Sequence, residues 1–206
     1  MTASATEVHE LKKAPPVDGV LPAILHRWSP RAFTEKDVSA KDLKTIFEGA
    51  RWAPSSFNEQ PWRFLVGRRN SETYKKIHDA LAPFNQMWAI QAPVLILGMA
   101  RTKFSHNGEP NRVALFDLGA ASAYLALQAS VLGLAAHQMA GFEEEAARKA
   151  FGVPAEYVFG SAIALGYQGE PGTLPREQMK AQEVAPRTRK ELSEFVWEGW
   201  EKAAKM

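Results

Sequence analysis

Residues 51–67 read RWAPSSFNEQPWRFLVG, a polar run enclosed by two prolines and followed at once by an apolar stretch. The segment before it predicts an amphipathic helix, because its apolar residues recur at the i, i+3, i+4, i+7 spacing: Leu43, Ile46, Phe47 and Ala50. WRFLVG is short and apolar and predicts a strand. The polar run therefore joins a helix to a core strand, and it carries more hydrogen-bonding side chains than a plain connector needs.

Helical and strand patterns alternate along the rest of the chain. Strands are predicted at PVLILGMA (93–100), LAAHQMAG (134–141) and YVFGSAIALGY (157–167), and the first of these is apolar throughout, as a buried central strand is. Helices are predicted over 71–81, over EEEAARKAF (143–151) and over 111–132, and the last is apolar nearly all round, which predicts burial. Because no long series of βαβ units is present, an α+β fold is favoured.

The length of 206 residues fits a single main domain, predicted over residues 18–190. Residues 1–17 are polar with a Pro-Pro pair and predict a flexible N-terminal arm. The segment 168–186 predicts a long polar loop, which in a compact domain is usually functional or packs on something else. The tail, residues 191–206, fits either an amphipathic helix or an arm that packs on a partner subunit.

Composition excludes several classes of function. The net charge is +2 with no basic block, which disfavours a nucleic-acid binder, and the absence of cysteine excludes thiolate sites. The five histidines are scattered, so no metal site is expected. No signal peptide or membrane span is recognisable, and a cytoplasmic protein is expected. Since no dinucleotide fingerprint, phosphate-binding loop or nucleophile elbow occurs, redox chemistry would require a bound organic cofactor.

Arginines alternate in two separated segments. RWSPRAF (27–33) places Arg27, Ser29 and Arg31 around a proline turn, and PRTRKEL (186–192) repeats the spacing with Arg187 and Arg189. Alternate residues of an extended segment point the same way, so each segment can present its guanidinium groups to one anion. The alternative for each segment is a solvated basic cluster on the surface.

Over roughly residues 20–190 the chain resembles the FMN-dependent nitroreductase family. The resemblance rests on the two arginine segments and on the motifs that lie between them in the sequence: APSSFNEQPW, FDLGAASAYLALQASVLGL, a G-F-E turn and IALGY. The resemblance implies a mixed central β-sheet flanked by helices on both sides, in an intertwined homodimer with FMN at the interface. It implies an FMN-dependent NAD(P)H oxidoreductase that uses NADH or NADPH as donor and a nitroaromatic, quinone or similar small molecule as acceptor, in ping-pong order. Flavin N5 would carry the chemistry, with no catalytic side chain.

The resemblance also implies roles for single residues. Arg27 and Ser29 match ligands of the FMN phosphate and ribityl chain, Arg31 matches a basic position at the N1/O2 edge of the flavin, and Arg187 and Arg189 match a basic pair at the phosphate. The turn that reaches the flavin from the partner subunit corresponds to Pro54, Ser55, Ser56 and Asn58, with Gln60 offering a further amide to the flavin edge. The turn that faces N5 corresponds to Gln138, Met139, Ala140 and Gly141. An acidic residue often stands in the family where this chain has Ala140, so only a backbone contact carries over there.

Each of these assignments has an alternative. PSSFNEQPW can be a tight turn whose Ser and Asn side chains satisfy their own backbone, and residues 138–141 can be a plain strand-to-helix turn. Trp52, Phe57 and Trp62 read as core residues rather than as cofactor contacts. For the whole protein, the alternatives are a flavin-binding module with little turnover and a same-fold enzyme that uses reduced flavin for dehalogenation or oxygen chemistry.

Overall fold

The computed structural model describes residues 3–206. Over these residues the chain forms eight α-helices and six β-strands. The helices are α1 (Ala5–Lys12), α2 (Pro22–His26), α3 (Ala40–Arg51), α4 (Glu72–Ala80), α5 (Pro83–Ala89), α6 (Ala114–Val131), α7 (Glu144–Phe151) and α8 (Glu177–Val184). The strands are β1 (Trp62–Arg68), β2 (Val94–Arg101), β3 (Ala135–Met139), β4 (Tyr157–Gly166), β5 (Trp197–Gly199) and β6 (Lys202–Ala203).

The main sheet has four strands in the order β1-β2-β4-β3. All three pairings are antiparallel, so the strands of one chain do not form the mixed sheet that the family resemblance implies. β2 is buried along nearly its whole length, which confirms the predicted central strand. The α+β class is confirmed, since the antiparallel strands need no helical crossover between each pair.

Helices cover both faces of this sheet, as predicted. One face packs against α4, α5, α7 and α8 through residues such as Ile77, Trp88 and Leu97. The other packs against α3 and α6 through residues such as Ile46, Leu125 and Ile163. The predicted helix before the polar run is confirmed as α3, and the Ser39 hydroxyl caps it by accepting the Asp42 backbone N–H at 2.9 Å.

The predicted burial of the long central helix is wrong for one of its faces. α6 buries Leu118, Leu125 and Ala129 against the sheet, but Phe116 is 77% exposed and Val131 is 65% exposed. By length and composition α6 could cross a membrane, yet it packs against α3 and the strands as a core helix does. Its other face is an apolar surface with no partner among residues 3–206.

The two chain ends and the predicted loop carry more structure than their sequences suggest. The sequence predicts a flexible arm over residues 1–17, but residues 5–12 form helix α1 and bury Val8. The predicted loop 168–186 contains a 3₁₀ turn at Pro171–Thr173 and helix α8. The tail forms a 3₁₀ turn and the small antiparallel pair β5–β6, and nearly all of it is exposed.

Two of the aromatic residues predicted for the core lie on the surface instead. Trp62 is buried at the start of β1, as predicted. Trp52 is 73% exposed at the C-cap of α3, and Phe57 is 82% exposed in the turn that leads into β1. The apolar character of a side chain in a turn therefore does not report its burial.

Candidate functional site

The first arginine segment follows helix α2. Pro22 starts this one-turn helix, and Arg27 is its C-cap residue, with its guanidinium 3.4 Å from the Ser29 hydroxyl. Pro30 then fixes the backbone and carries the chain into the buried residues Ala32 and Phe33. The turn is therefore anchored at both ends, with Ser29 exposed and with Arg27 and Arg31 partly buried.

The second arginine segment lies directly against the first. The Arg187 guanidinium donates to the backbone oxygens of Leu25 and Arg27, the latter at 2.6 Å. Burial lowers the pKa of Arg27 below its usual value, and the charge of Arg189 lowers it further. The pKa of Arg187 is lowered by burial first and then by Arg189 and Arg27. Three guanidinium groups from segments distant in sequence thus share one region.

No carboxylate within residues 3–206 forms a salt bridge with this arginine cluster, which we define as Arg27, Arg187 and Arg189. Because the charge of Arg189 lowers the pKa of both Arg27 and Arg187 and no anion is paired with them, the three cations form an uncompensated positive region. A dianion such as a phosphate monoester would relieve that repulsion, and guanidinium groups bind phosphate oxygens in a bidentate way.

Arg31 lies on the other side of the same turn. Its guanidinium lies 5.9 Å from the Phe84 ring, and its buried Nε has no hydrogen-bond partner among the described residues. A buried donor without a partner is costly unless a ligand or water accepts from it. Since this Nε is shielded from solvent, only the terminal nitrogens of Arg31 can reach a bound group beside the arginine cluster.

Strand β3 is attached to this turn through His137. The His137 Nδ1 donates to the Pro30 oxygen at 2.8 Å, and its ring packs 4.6 Å from the ring of Trp88. Burial lowers the pKa of His137 to about 4, the charges of Arg31 and Arg27 act in the same direction, and the hydrogen bond to Pro30 opposes them. The imidazole is consequently neutral near neutral pH, and it joins β3 to the arginine turn.

The predicted turn at residues 138–141 directly follows His137. Gln138 donates to the Ser122 oxygen on α6 at 3.3 Å, Met139 is buried, and Ala140 is exposed. The Gly141 oxygen accepts from Asn85 at 2.9 Å, and a Cβ at Gly141 would lie 2.7 Å from the same amide nitrogen. A side chain at position 141 would therefore displace the Asn85 amide and disturb this contact between the turn and α5.

The serine-asparagine turn, residues 54–60, is held largely by its own hydrogen bonds. The Ser55 hydroxyl accepts the Gln60 N–H at 3.0 Å, and the Gln60 amide donates to the Asn58 side chain at 3.1 Å. These bonds match the alternative in which the turn satisfies its own polar groups. Even so, Phe57, Asn58 and Gln60 all have positive φ, at 52°, 55° and 49°. Such strain in residues other than glycine persists only where the surroundings fix it, and it is common at binding sites.

The structure brings some of the predicted site residues together and separates others. Arg27, Ser29, Arg31, Arg187 and Arg189 gather at one end of α6, where Arg27 and Ser130 line a cavity of about 60 Å³. The Ser56 N–H donates to Asp117 at 3.1 Å, near the other end of α6. Asp117 and Ser130 are separated by about 20 Å along the helix, at 1.5 Å per residue. Within one chain, the serine-asparagine turn and the arginine cluster therefore do not meet.

Two buried charges near the cluster were not predicted from the sequence. Glu183 on α8 accepts the backbone N–H groups of Arg31 and Ala32, and Lys12 on α1 donates to the Gln182 and Ala185 oxygens. Burial raises the pKa of Glu183, while these two N–H donors and the charges of Arg31 and Lys12 lower it. The signal available in the sequence is only that Glu183 stands four residues before Arg187.

The family was identified by a sequence profile described as the nitroreductase family, which matches residues 24–87 and 81–167. The chain belongs to this family. The matched nitroreductase region includes the first arginine turn, the serine-asparagine turn and the residue 138–141 turn. It does not include α1, α8 or the second arginine segment.

Individual nitroreductase relatives agree with this assignment. A protein of Archaeoglobus fulgidus, provisionally named an NADH dehydrogenase/NAD(P)H nitroreductase, is 33% identical over 151 residues, which are 71% of this chain and 84% of the relative. A crystal structure described as an oxidoreductase containing FMN is 35% identical, with a TM-score of 0.84. The match covers 90% of this chain and 94% of the chain in that structure. A nitroreductase-like protein from Desulfovibrio desulfuricans, solved in complex with FMN, is 28% identical, with a TM-score of 0.71 and coverages of 89% and 98%.

Proposed function

We propose that this protein binds FMN and transfers electrons from NADH or NADPH to a small-molecule acceptor such as a nitroaromatic or a quinone. The observation that carries the proposal is the arginine cluster, in which three guanidinium groups converge without a paired carboxylate among residues 3–206. The FMN content stated for two similar solved structures supports the same cofactor here.

The residues of the cluster fit the phosphate end of FMN. Arg27 and Arg189 would hold the phosphate by charge-assisted hydrogen bonds, and the Ser29 hydroxyl would bind the adjoining ribityl chain. Arg187 already donates to two backbone oxygens, so it would mainly fix the two segments relative to each other. The phosphate dianion would offset the mutual repulsion of these cations, which favours its binding.

The residues beside the cluster fit the ring end of FMN. The guanidinium of Arg31 would lie at the N1/O2 edge, where a fixed cation favours the negative charge of the reduced ring. The backbone of Gln138, Met139, Ala140 and Gly141 would line the N5 side of the ring, held in place by the His137–Pro30 bond. When bound, FMN supplies hydride acceptance and donation at N5. We propose a ping-pong order, in which NAD(P)H leaves before the acceptor binds.

A second copy of the chain would complete the site. The serine-asparagine turn, with its residues Pro54, Ser55, Ser56, Asn58 and Gln60, lies too far along α6 from the arginine cluster to share one flavin ring with it. In a two-fold pair with antiparallel α6 helices, the start of one helix lies beside the end of the other. That arrangement brings the turn of one protomer to the cluster of its partner.

The exposed face of α6 suits such a pairing. Phe116, Tyr124 and Val131 leave an apolar surface along it, and a Cβ added at Gly119 would meet nothing within 4 Å. Small residues on a helix face allow a second backbone to approach closely, and an exposed apolar surface of this kind usually marks an interface. The exposed tail, with Phe195, Trp197 and Trp200, would pack on the same partner.

Anaerobic reduction tests the proposed function. The purified protein is loaded with FMN, and the flavin absorbance is followed after addition of NADH or NADPH and then of a quinone or a nitroaromatic. An oxidoreductase bleaches rapidly with at least one nicotinamide and recovers its colour with the acceptor. A flavin-binding module with little turnover would keep its colour on the same timescale, and that outcome would refute the proposed activity.

A further inference from the structure

The buried pair Lys12 and Glu183 lies directly behind the arginine turn and has no role in the contacts assigned so far. Glu183 is 2% exposed and Lys12 is 5% exposed, although both carry long ionisable side chains. Charges of this kind are seldom buried unless they are bonded and balanced. Both residues also lie outside the segments that the nitroreductase profile matches.

Glu183 binds the backbone of the arginine turn. The Arg31 N–H donates to both carboxylate oxygens, at 2.9 and 3.1 Å, and the Ala32 N–H donates to Oε1 at 3.0 Å. These two N–H groups directly follow Pro30, which has none. The carboxylate therefore fixes the orientation of the turn at the point where the Arg31 side chain leaves it.

Lys12 holds helix α8 in the position from which Glu183 reaches the turn. Its ammonium group donates to the Gln182 and Ala185 oxygens at the end of α8, where a cation is favoured by the helix dipole. The same group lies 4.8 Å from the centre of the Trp28 ring, within the turn itself. Helix α1 thereby connects α8 to the arginine turn.

Helix α8 also leads into the second arginine segment. It ends at Val184, three residues before Arg187, so its position constrains the second segment through the chain itself. Glu183 constrains the first segment through hydrogen bonds. One buried carboxylate thus connects both halves of the arginine cluster.

We propose that Glu183 is a positioning residue for FMN, held in place by Lys12, and that it sets the spacing of the two arginine segments around the phosphate. This inference rests on the proposed FMN function. It assigns a role in cofactor retention to α1 and α8.

The variant Glu183→Gln separates positioning from simple electrostatics. Removal of a negative charge beside the cluster would by itself tighten the binding of an anion. The glutamine Oε1 can still accept from both backbone N–H groups, but its NH₂ group would face the Arg31 N–H at the Oε2 position, 3.1 Å away, and this opposition of two donors displaces the turn. Weaker FMN binding in this variant can therefore come only from the displaced turn, and we expect a loss of at least about tenfold.

The experiment measures the dissociation constants of FMN and riboflavin by flavin fluorescence for the full-length wild type and its variants. The matched control is Glu177→Gln, which removes the same charge from an exposed position on the same helix. Lys12→Met keeps the aliphatic stem and removes the ammonium group. We expect both Glu183→Gln and Lys12→Met to weaken FMN binding by a larger factor than riboflavin binding, because riboflavin keeps the ring contact of Arg31 but lacks the phosphate.

Each outcome is decisive. FMN affinity within twofold of wild type in both Glu183→Gln and Lys12→Met, or an equal loss for FMN and riboflavin, would overturn the positioning role and leave the proposed function intact. If Glu183→Gln fails to fold, Lys12→Met decides by the same comparison of the FMN and riboflavin dissociation constants. A wild type that binds neither flavin would overturn the proposed function itself.

Discussion

The Arg187 guanidinium lies 2.6 Å from the backbone oxygen of Arg27 and donates a hydrogen bond to it, across 160 positions of sequence. This contact closes the arginine cluster from the side of the second segment. It also gives the two arginines of that segment different roles, since the described side-chain contact of Arg189 is to its neighbour Thr188. One guanidinium supports the fold, and the other remains free to bind.

The different roles of Arg187 and Arg189 predict different effects on stability. Arg187→Ala removes hydrogen bonds to two partly buried carbonyl groups and should lower the free energy of unfolding by about 1–3 kcal/mol. Arg189→Ala should change it by less than about 0.5 kcal/mol, because the side chain is exposed. Urea unfolding of the flavin-free protein measures both values. Equal losses in the two variants would contradict the division of roles.

Arg27→Ala should weaken FMN retention by at least about tenfold while the protein stays folded, since it removes one charge-assisted contact to the phosphate. Arg27→Lys should fall between wild type and Arg27→Ala, because an ammonium group keeps the charge without the bidentate geometry. Arg68→Ala, an exposed arginine at the end of β1, is the control. Flavin occupancy after gel filtration measures the effect, and unchanged occupancy in Arg27→Ala would remove Arg27 from the phosphate site.

Ala123→Glu should convert the proposed dimer into monomers. Ala123 lies on the exposed face of α6, so a glutamate there leaves the protomer intact but places two like charges in a two-fold interface. The control, Ala146→Glu, changes an exposed alanine on α7. Light scattering after gel filtration gives the mass. A wild-type dimer that persists in Ala123→Glu would show that α6 is not the interface, and monomers that keep full FMN affinity would contradict the shared site.

His137 predicts a pH dependence of stability. Its pKa is lowered by burial from 6.5 to about 4, so the unfolded chain takes up a proton at a higher pH than the folded protein does. The stability that neutral His137 contributes is therefore complete above pH 6.5 and is lost as the pH falls towards 4. When the pH is lowered from 7 to 5, the free energy of unfolding should fall by about 1–2 kcal/mol more in the wild type than in His137→Asn, whose amide can still donate to Pro30. Parallel losses in urea unfolding would contradict the lowered pKa.

Local patterns in the sequence predict most of the elements of the fold. The apolar spacing of residues 43–50 and the Ser39 cap give helix α3, and the continuous apolar run at 93–100 gives β2, because these signals act within one element. The burial of α6 is mispredicted because its pattern, too, is read within one element. Its apolar residues occur on all sides, and the pattern does not distinguish a face against the sheet from a face without a partner in its own chain.

The parts of the site that the sequence does not reveal depend on contacts between distant segments. Arg27 and Arg187 stand out as alternating arginines, but their direct contact depends on how α8 packs. Glu183 and Lys12 lie in polar stretches that read as a loop and an arm, and their burial follows from the packing of α1 on α8. The internal bonds of Ser55 and Gln60 arise from positive φ angles that no spacing rule gives.

The most direct test of the central claim is a titration of the purified, flavin-free protein with FMN and with riboflavin, followed by visible absorbance. Binding by the arginine cluster predicts saturation at one FMN per chain and an affinity for riboflavin lower by about 100-fold or more, since only FMN carries the phosphate. Failure to take up FMN, or equal affinity for the two flavins, would contradict the claim that these guanidinium groups form the phosphate site.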